Sequence, residues 1–191
     1  MAARKKSSAS KSGSARKQSS KSKQSSSRSS SASNSRNGSS GGKSAITLLR
    51  ADHKLVQDLF DQYEKTRSED RKAEIAEQIC LELTVHAQVE EEIFYPAARE
   101  AIRDSELLDE AEVEHQVAKD LIAEIEDGEP GDELFDAKVK VLGEYINHHI
   151  KEEKGEMFPK ARSARKLDLM AMREEMEARK EELMAEMGAT A

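Results

Sequence analysis

The stretch His86-Ala87-Gln88-Val89-Glu90 decides the fold, because it recurs in the same chain as His149-Ile150-Lys151-Glu152-Glu153. Each copy places a glutamate four residues after a histidine, and an aromatic–proline pair follows at the same distance, Tyr95-Pro96 and Phe158-Pro159. Residues four apart lie on one face of an α-helix. Each histidine–glutamate pair can therefore reach one metal ion from a single helix.

A second matched pair of segments lies upstream of these copies. One begins at Asp52-His53 and the other at Glu114-His115, and an Asp-Leu pair follows each histidine at the same distance. The repeat predicts two helical hairpins of one design, each with a histidine on its first helix and a histidine–glutamate pair on its second. Four of the five histidines fall at these matching places. The candidate metal ligands are His53, His86, Glu90, His115, His149 and Glu153.

The sequence from Ser44 onward has the apolar spacing of amphipathic helices, with charged faces and few helix breakers. Helices are predicted over about Ser44–Thr66, Asp70–Glu100, Ser105–Asp127, and from a cap at Asp132 to Glu156. Short connections between helices of similar length favour antiparallel neighbours. The pattern thus predicts an all-α fold, an antiparallel up-and-down four-helix bundle at residues 44–161.

In residues 162–191 the spacing of apolar residues predicts an additional helix outside the bundle, over about Ser163–Met187. Apolar residues line one face of it: Leu169, Met172, Met176, Leu183 and Met187. A methionine-rich stripe is typical of adaptable packing. The stripe favours packing against the bundle, and the alternative is packing against a second chain.

Residues 1–43 predict a disordered basic tail, because they contain no aromatic residue, no Leu, Ile or Val, and no acid. This segment holds 11 of the 31 basic residues and none of the 38 acidic ones, so it carries +11 and the remainder, with 20 basic residues, carries −18. Such a segment attracts polyanions, so non-specific nucleic acid contact is one hypothesis for it. Attraction to a membrane surface and simple solubilisation are the alternatives.

No stretch has the apolar length of a secretory signal or of a membrane span, which predicts a cytoplasmic protein. The single cysteine, Cys80, excludes an internal disulfide and fits a reducing compartment. We interpret Cys80 as a small apolar core residue.

The donor types favour iron. Imidazole and carboxylate suit redox-active iron, whereas magnesium and calcium prefer oxygen ligands alone and structural zinc more often recruits thiolates. Two similar hairpins would bring two ions together at the bundle centre, with the glutamates able to bridge them. His148 is an alternative ligand, since Glu152 lies four residues and Glu153 five residues after it. The repeat and the apolar stripe both favour His149.

These residues, with the flanking segments Glu90–Pro96 and His148–Glu153, resemble the hemerythrin-like family over about Ala45–Ala161. The resemblance implies an up-and-down bundle around two irons, bridged by carboxylates and by an oxo or hydroxo group. Members bind dioxygen reversibly, or sense oxygen, nitric oxide, redox state or iron. Lys119 stands where oxygen-carrying members have a further histidine, and Gln57 occupies the matching first-helix position. This departure favours sensing, peroxide or nitric oxide chemistry, or iron handling over oxygen transport.

Three functions therefore remain open at the level of sequence. The first is a di-iron module that binds or senses dioxygen, nitric oxide, redox state or iron. The second is an enzyme on the same bundle, peroxidase-like or nitric-oxide-handling. The third is a structural interaction bundle without metal.

Overall fold

The computed structural model describes residues 44–103 and 105–188, and within these ranges it contains helices and no strand. The elements are α1 Ala45–Lys65, α2 Glu69–Val89, π1 Glu90–Phe94, α3 Tyr95–Ala101, α4 Ser105–Glu126, α5 Phe135–Glu152, π2 Glu153–Met157, α6 Phe158–Ser163 and α7 Leu169–Gly188. The tail predicted at residues 1–43 lies outside the described residues.

Four long helical segments form an antiparallel bundle. Helix α1 packs against α2 and α5, and α4 packs against the same two helices from the other side. The second segment continues from α2 through the π-helical turn π1 into α3, and the fourth continues from α5 through π2 into α6. The predicted all-α, up-and-down four-helix bundle with an additional C-terminal helix is confirmed.

The helix ends follow local hydrogen bonding. Helix α1 begins after Ser44 as predicted, and the Ser44 backbone N–H donates to the Thr47 hydroxyl at 2.8 Å. The prediction that Asp132 caps the fourth helix was wrong. Its carboxylate instead accepts a hydrogen bond from the Glu129 backbone N–H at 2.9 Å, inside the preceding turn. Leu134 then takes a left-handed φ of 76°, so α5 begins only at Phe135.

The apolar core consists of two clusters at different levels of the bundle. The Phe94 cluster contains, among others, Ile46, Leu49, Phe94, Tyr95, Leu108, Phe158 and Met176. The Leu142 cluster contains, among others, Val56, Ile79, Cys80, Leu83, Ile122, Leu142 and Ile146. Burial raises the pKa of the Cys80 thiol to about 12, so Cys80 packs as a neutral core residue. The level between the two clusters is where the polar residues of the repeat meet.

Helix α7 begins later than predicted, at Leu169 and not at Ser163. The reason is Asp168, whose carboxylate accepts hydrogen bonds from the backbone N–H groups of Met170 and Ala171, both at 3.1 Å. An aspartate in this position is a typical N-cap. Residues 164–168 therefore form a turn between α6 and α7.

The methionine-rich stripe of α7 packs against the bundle of its own chain. Met172, Met176 and Leu183 are buried, and α7 contacts α1, α2 and π1. The Arg179 guanidinium binds the Glu92 carboxylate at 2.7 Å on the rim of this contact. The packing of α7 thus corresponds to the first of the two alternatives drawn from the sequence. None of the helices in the described ranges is long and apolar enough to cross a membrane.

Truncation of Met176 should destabilise the protein strongly, because this side chain of α7 is fully buried against the bundle. We expect Met176→Ala to lower the free energy of unfolding by about 2–5 kcal/mol, the range for large-to-small core substitutions. Met170→Ala is the matched control, since Met170 lies on the same helix and is 47% exposed. Its effect should stay within about 0.5 kcal/mol. Equal losses for both variants in urea unfolding would show that α7 does not pack as described.

Candidate metal centre

The six residues predicted as ligands meet at one level of the bundle, between the Phe94 and Leu142 clusters. His53 lies on α1, His86 on α2, His115 on α4 and His149 on α5, and Glu90 and Glu153 are the first residues of π1 and π2. None of the six is more than 5% exposed. The helix faces derived from the repeat therefore place all six side chains in the interior.

The four imidazoles face each other in pairs through their Nε2 atoms. The Nε2 atoms of His53 and His86 lie 3.1 Å apart, and those of His115 and His149 lie 3.3 Å apart. Each pair comes from one hairpin. The two hairpins thus present equivalent pairs of nitrogen donors.

Each of the two glutamates lies close to one histidine of each hairpin. Glu90 Oε2 lies 3.3 Å from His86 Nε2 and 3.5 Å from His115 Nε2. Glu153 Oε2 lies 3.1 Å from His53 Nε2 and 3.7 Å from His149 Nε2. Each carboxylate is thus between a histidine of its own hairpin and one of the other, which is the position a bridging carboxylate requires.

Among the six residues, two groups of donor atoms are compact enough to hold an ion each. The first group is His53, His86, Glu90 and Glu153, and the second is Glu90, His115 and His149. Within each group the donor atoms lie within 4.8 Å of one another. Glu90 belongs to both groups, so two ions held here would share it.

Carboxylates outside the donor set contact the far nitrogens of three imidazoles. Glu114 lies 2.7 Å from His149 Nδ1, Glu91 lies 3.0 Å from His115 Nδ1, and Asp52 lies 3.6 Å from His86 Nδ1. A carboxylate at Nδ1 favours the tautomer with the proton on that nitrogen, which leaves a lone pair on Nε2. With both imidazoles in this tautomer, their Nε2 lone pairs would face each other at 3.3 Å. Either a proton on one Nε2, which the raised pKa of His149 favours, or a cation between the two nitrogens removes this repulsion, so the donor set fits a metal.

Two of these outer carboxylates, Asp52 and Glu114, are the acidic residues that precede the first histidine in each copy of the repeat. The sequence alone gave these acids no role. Asp52 and Glu114 each precede a ligand candidate on the first helix of a hairpin, yet each contacts the histidine of the second helix. The signal was present, since an acid precedes the histidine in both copies. The repeat therefore encodes both the inner donors and the groups that orient them.

Two lysines reach these outer carboxylates. Lys119 Nζ lies 2.6 and 2.7 Å from the two oxygens of Glu91, so the residue in place of a further histidine supports His115 indirectly. Lys180 of α7 lies 2.7 Å from Asp52. Sequence reasoning missed Lys180, because its partner is 128 residues away and outside both repeats.

His148 lies apart from the six. Its side chain is 60% exposed, and its Nε2 lies 3.2 Å from Glu152 and 3.7 Å from Glu114. His149, in contrast, faces the interior. The structure thus groups His149, and not His148, with the other five residues.

An aromatic side chain from each hairpin also reaches this level. The Tyr95 hydroxyl lies 3.2 Å from His115 Nε2, 3.3 Å from Glu90 Oε2 and 3.4 Å from Glu153 Oε1. Phe158, its counterpart in the repeat, stacks on the His53 ring with centroids 5.8 Å apart. The sequence marked these residues only as parts of an aromatic–proline pair.

The π-helical turns bring the glutamates and the aromatics to the same side. The backbone N–H of Tyr95 donates to the Glu90 carbonyl, and that of Phe158 donates to the Glu153 carbonyl. In a regular α-helix residues five apart are rotated by about 140°. The wider turn reduces this rotation, and such turns often occur at functional sites. The sequence prediction of uninterrupted α-helix missed both turns.

The ionisable groups of the site have shifted pKa values, because acidic and basic side chains are buried close together. Burial and the Glu153 carboxylate raise the pKa of Glu90 to about 8. Burial lowers the pKa of His53 to about 4. For Glu153 the attraction of His149 and His53 outweighs burial and lowers the pKa. Burial and the two carboxylates raise the pKa of the Tyr95 phenol well above its usual range.

Several buried atoms of the site have no hydrogen-bond partner. Within the described residues these atoms are His53 Nδ1, His86 Nδ1, Glu90 Oε1 and Glu153 Oε2. A buried polar group without a partner costs roughly 1–3 kcal/mol. The interior therefore carries a cost that ligation of a cation by the glutamates would offset.

The metal-free protein should lose stability as the pH rises from about 6.5 to 8.5. The folded state keeps a proton on Glu90 up to a pH of about 8, whereas the carboxyl of an unfolded chain ionises near 4.5. The pKa values of His86 and His149 are also raised in the folded state, because the attraction of Glu90, Glu153, Asp52 and Glu114 outweighs burial. The folded state thus binds more protons than the unfolded chain over this range. The lowered pKa of His53 affects the pH dependence of stability only below this pH range.

Urea unfolding of the metal-free protein across this range measures the effect. We expect a loss of at least about 1 kcal/mol in the free energy of unfolding. Glu90→Gln should make the profile flatter, because the amide does not titrate. A free energy of unfolding that rises with pH over the same range would contradict the described electrostatics.

Two known proteins resemble the chain. The crystal structure of a hemerythrin HHE cation-binding domain-containing protein from Mycobacterium kansasii matches it with a TM-score of 0.66 and 20% identity, over 75% of this chain and 88% of that chain. At this identity the likeness shows the fold alone. A DNA nickase from Nostoc sp. (strain PCC 7120) is 28% identical over 116 residues, 61% of this chain and 33% of that protein. The chain thus spans about a third of the length of this relative.

The model of the family described as hemerythrin HHE cation binding domain matches residues 44–161, which is more than half of the chain. The histidine and glutamate clusters of the structure lie inside this range. The resemblance inferred from the motifs is confirmed. The chain belongs to the hemerythrin HHE cation-binding domain family and contains a metal-binding helical bundle.

Proposed function

We propose that the protein is a non-haem di-iron protein that binds or senses a small ligand such as dioxygen or nitric oxide. The six interior donors would hold two irons, with Glu90 and Glu153 shared between them. The observation that carries the proposal is the position of the two glutamates, since the Oε2 atom of each lies within 3.7 Å of an imidazole nitrogen from both hairpins. Iron bound here would supply reversible redox chemistry and affinity for small diatomic molecules.

A small cavity beside the imidazoles supports a ligand of this size. It has a volume of about 20 Å³ and its apolar lining includes Val56, Leu83, Ile122 and Ile146. A cavity of roughly 10–15 Å³ or more can hold one water molecule. The space therefore admits a molecule of a few atoms.

Lys119, which stands in place of the further histidine of oxygen carriers, and Gln57 at the matching first-helix position add no donor to the site. Lys119 binds Glu91, and Gln57 donates a hydrogen bond to Asn147 at 2.6 Å on the exposed side of the bundle. The centre would thus have six ligands from its four histidines and two glutamates. Positions left for exogenous ligands favour sensing or reaction over oxygen transport.

Anaerobic loading with ferrous iron tests the proposal directly. We expect two irons per chain in the purified protein, measured after gel filtration. Joint replacement of His86 and His149 by alanine should abolish this iron, because one nitrogen donor is lost from each pair. His148→Ala is the matched control and should keep both irons, since this imidazole points away from the site. A protein that binds no iron, or a double variant that retains it, would refute the proposal.

Exposure of the loaded protein to oxygen separates binding from catalysis. A stable and reversible absorption band would support a binding or sensing role. Steady turnover of added peroxide or nitric oxide would instead identify a di-iron enzyme on the same bundle. Absence of metal from protein isolated with its full fold would favour a structural role.

Loss of an outer carboxylate should weaken metal binding without removing a ligand. Asp52 approaches His86 Nδ1 and is itself bound by Lys180. We expect Asp52→Asn to lower the iron affinity about 10–100-fold, as is typical for groups that orient metal-bound imidazoles. Asp58→Asn is the control, because Asp58 lies on the same helix and its side chain is 50% exposed. Competition with a chelator measures both, and equal affinities in the two variants would contradict a role for Asp52.

A further inference from the structure

A third group of close donor atoms lies at the surface of the bundle. It consists of Glu114 on α4 and of His148 and Glu152 on α5, with donor atoms within 4.8 Å of one another. The His148 Nε2 atom lies 3.2 Å from Glu152 and 3.7 Å from Glu114 Oε1. Donor atoms that lie about 2.0–2.2 Å from one tetrahedral zinc ion are roughly 3.3–3.6 Å apart. The spacing therefore fits ligands of one ion.

Solvent can reach this group directly. The side chains of His148 and Glu152 are 60% and 34% exposed, and that of Glu114 is 12% exposed. His148 and Glu152 are four residues apart, so they share a helix face in the same way as the buried histidine–glutamate pairs. An ion could bind here without entering the interior.

The surroundings of the group attract cations. It borders a hollow whose lining, within the described residues, contains five carboxylates and no lysine or arginine: Glu106, Asp109, Glu110, Glu114 and Glu152. Asp109 is paired with Arg99 at 2.6 Å, and the hollow as a whole remains negative. A concave surface lined by charges of one sign raises the local concentration of counter-ions.

The imidazole distinguishes this group from an ordinary acidic patch. Magnesium and calcium prefer oxygen ligands alone, whereas an imidazole together with carboxylates suits zinc, iron and related ions. The donor set of His148, Glu114 and Glu152 therefore selects for a transition metal.

Glu114 lacks the positive partner that the other two outer carboxylates have. Each of those two is bound by a lysine. Within the described ranges neither a lysine nor an arginine pairs with Glu114, which contacts the imidazoles of His148 and His149. A metal ion beside Glu114 would supply the positive charge that a lysine supplies at the other two carboxylates.

The equivalent surface of the first hairpin is built differently. The repeat places Val85 and Val89 of α2 where His148 and Glu152 stand on α5. Both valines are buried, in the apolar cluster that also contains the buried methionines of α7. The second hairpin thus has polar donors in place of apolar residues at the two positions next to Glu114.

We propose that Glu114, His148 and Glu152 form a separate surface site for one divalent transition-metal ion. Glu114 would contact this ion through Oε1 while its Oε2 atom contacts His149 Nδ1 at 2.7 Å. The remaining coordination positions would be filled by water. The site does not depend on the proposed iron centre, because none of its three residues belongs to the six interior donors.

Zinc binding at equilibrium tests the site. The full chain is loaded with iron, freed of unbound iron and dialysed against zinc, and both metals are then counted. We expect wild-type protein to bind one zinc ion per chain more than His148→Ala, with the same iron content in both. Because the result is a difference between two proteins, it remains informative if the chain binds no iron. Equal zinc contents in the two proteins would overturn this inference and leave the proposed function intact.

Two further variants separate ligation from diffuse attraction. Glu152→Gln should also lose this zinc, because it removes a carboxylate of the group. Glu110→Gln is the matched control and should keep it, since Glu110 lines the same hollow but lies outside the group. If Glu110→Gln loses as much zinc as Glu152→Gln, the binding is diffuse and the inference is wrong.

Nuclear magnetic resonance of the wild-type protein needs no variant to fold. Among the five histidines only His148 is exposed, so its imidazole signals can be distinguished from those of the buried four. We expect zinc to shift the His148 signals and to saturate at one ion per site. Signals that stay unchanged while zinc is in excess would refute ligation by His148.

Discussion

Repulsion among buried lone pairs and carboxylates is the constraint on which the rest of the structure depends. Four imidazoles and two carboxylates converge in an interior from which water is largely excluded. Such a group is costly unless a cation or protons compensate it. The two apolar clusters, one on each side, supply the burial that holds the helices together despite this cost. The outer carboxylates contact the Nδ1 atoms of three imidazoles and orient their Nε2 atoms toward the centre of the site.

The repeat was sufficient to predict the bundle and to bring the six donors together, because both depend on helical periodicity. Residues four apart on a helix share a face whatever the details of packing, so His86 with Glu90 and His149 with Glu153 could be placed from spacing alone. The repeat and the apolar stripe favoured His149 over its exposed neighbour His148. The roles of Asp52 and Glu114 were also encoded, since each reaches across to the other helix of its own hairpin.

Other features depend on contacts that spacing does not contain. The start of α5 was misplaced because the Asp132 carboxylate accepts a hydrogen bond from Glu129 within the turn, and Leu134 takes a left-handed φ. The π-helical turns change the direction of side chains by local hydrogen bonding, so a regular helix of 3.6 residues per turn could not predict that Tyr95 faces the donors. Lys180 was missed because α7 lies outside both repeats. In each case the deciding hydrogen bond or ion pair does not follow from a periodicity of 3.6 residues per turn.

The contact of Lys180 with Asp52 joins the outermost helix to the interior. Asp52 in turn approaches His86, so the free energy of docking α7 and the free energy of holding a cation at His86 share one ion pair. Two processes that share an interaction influence each other in both directions and to the same degree. A cation bound at the centre of the bundle would therefore be coupled to the packing of α7 at the surface. A partner that recognises α7 in its docked position would, through this single lysine, respond to the state of the metal site.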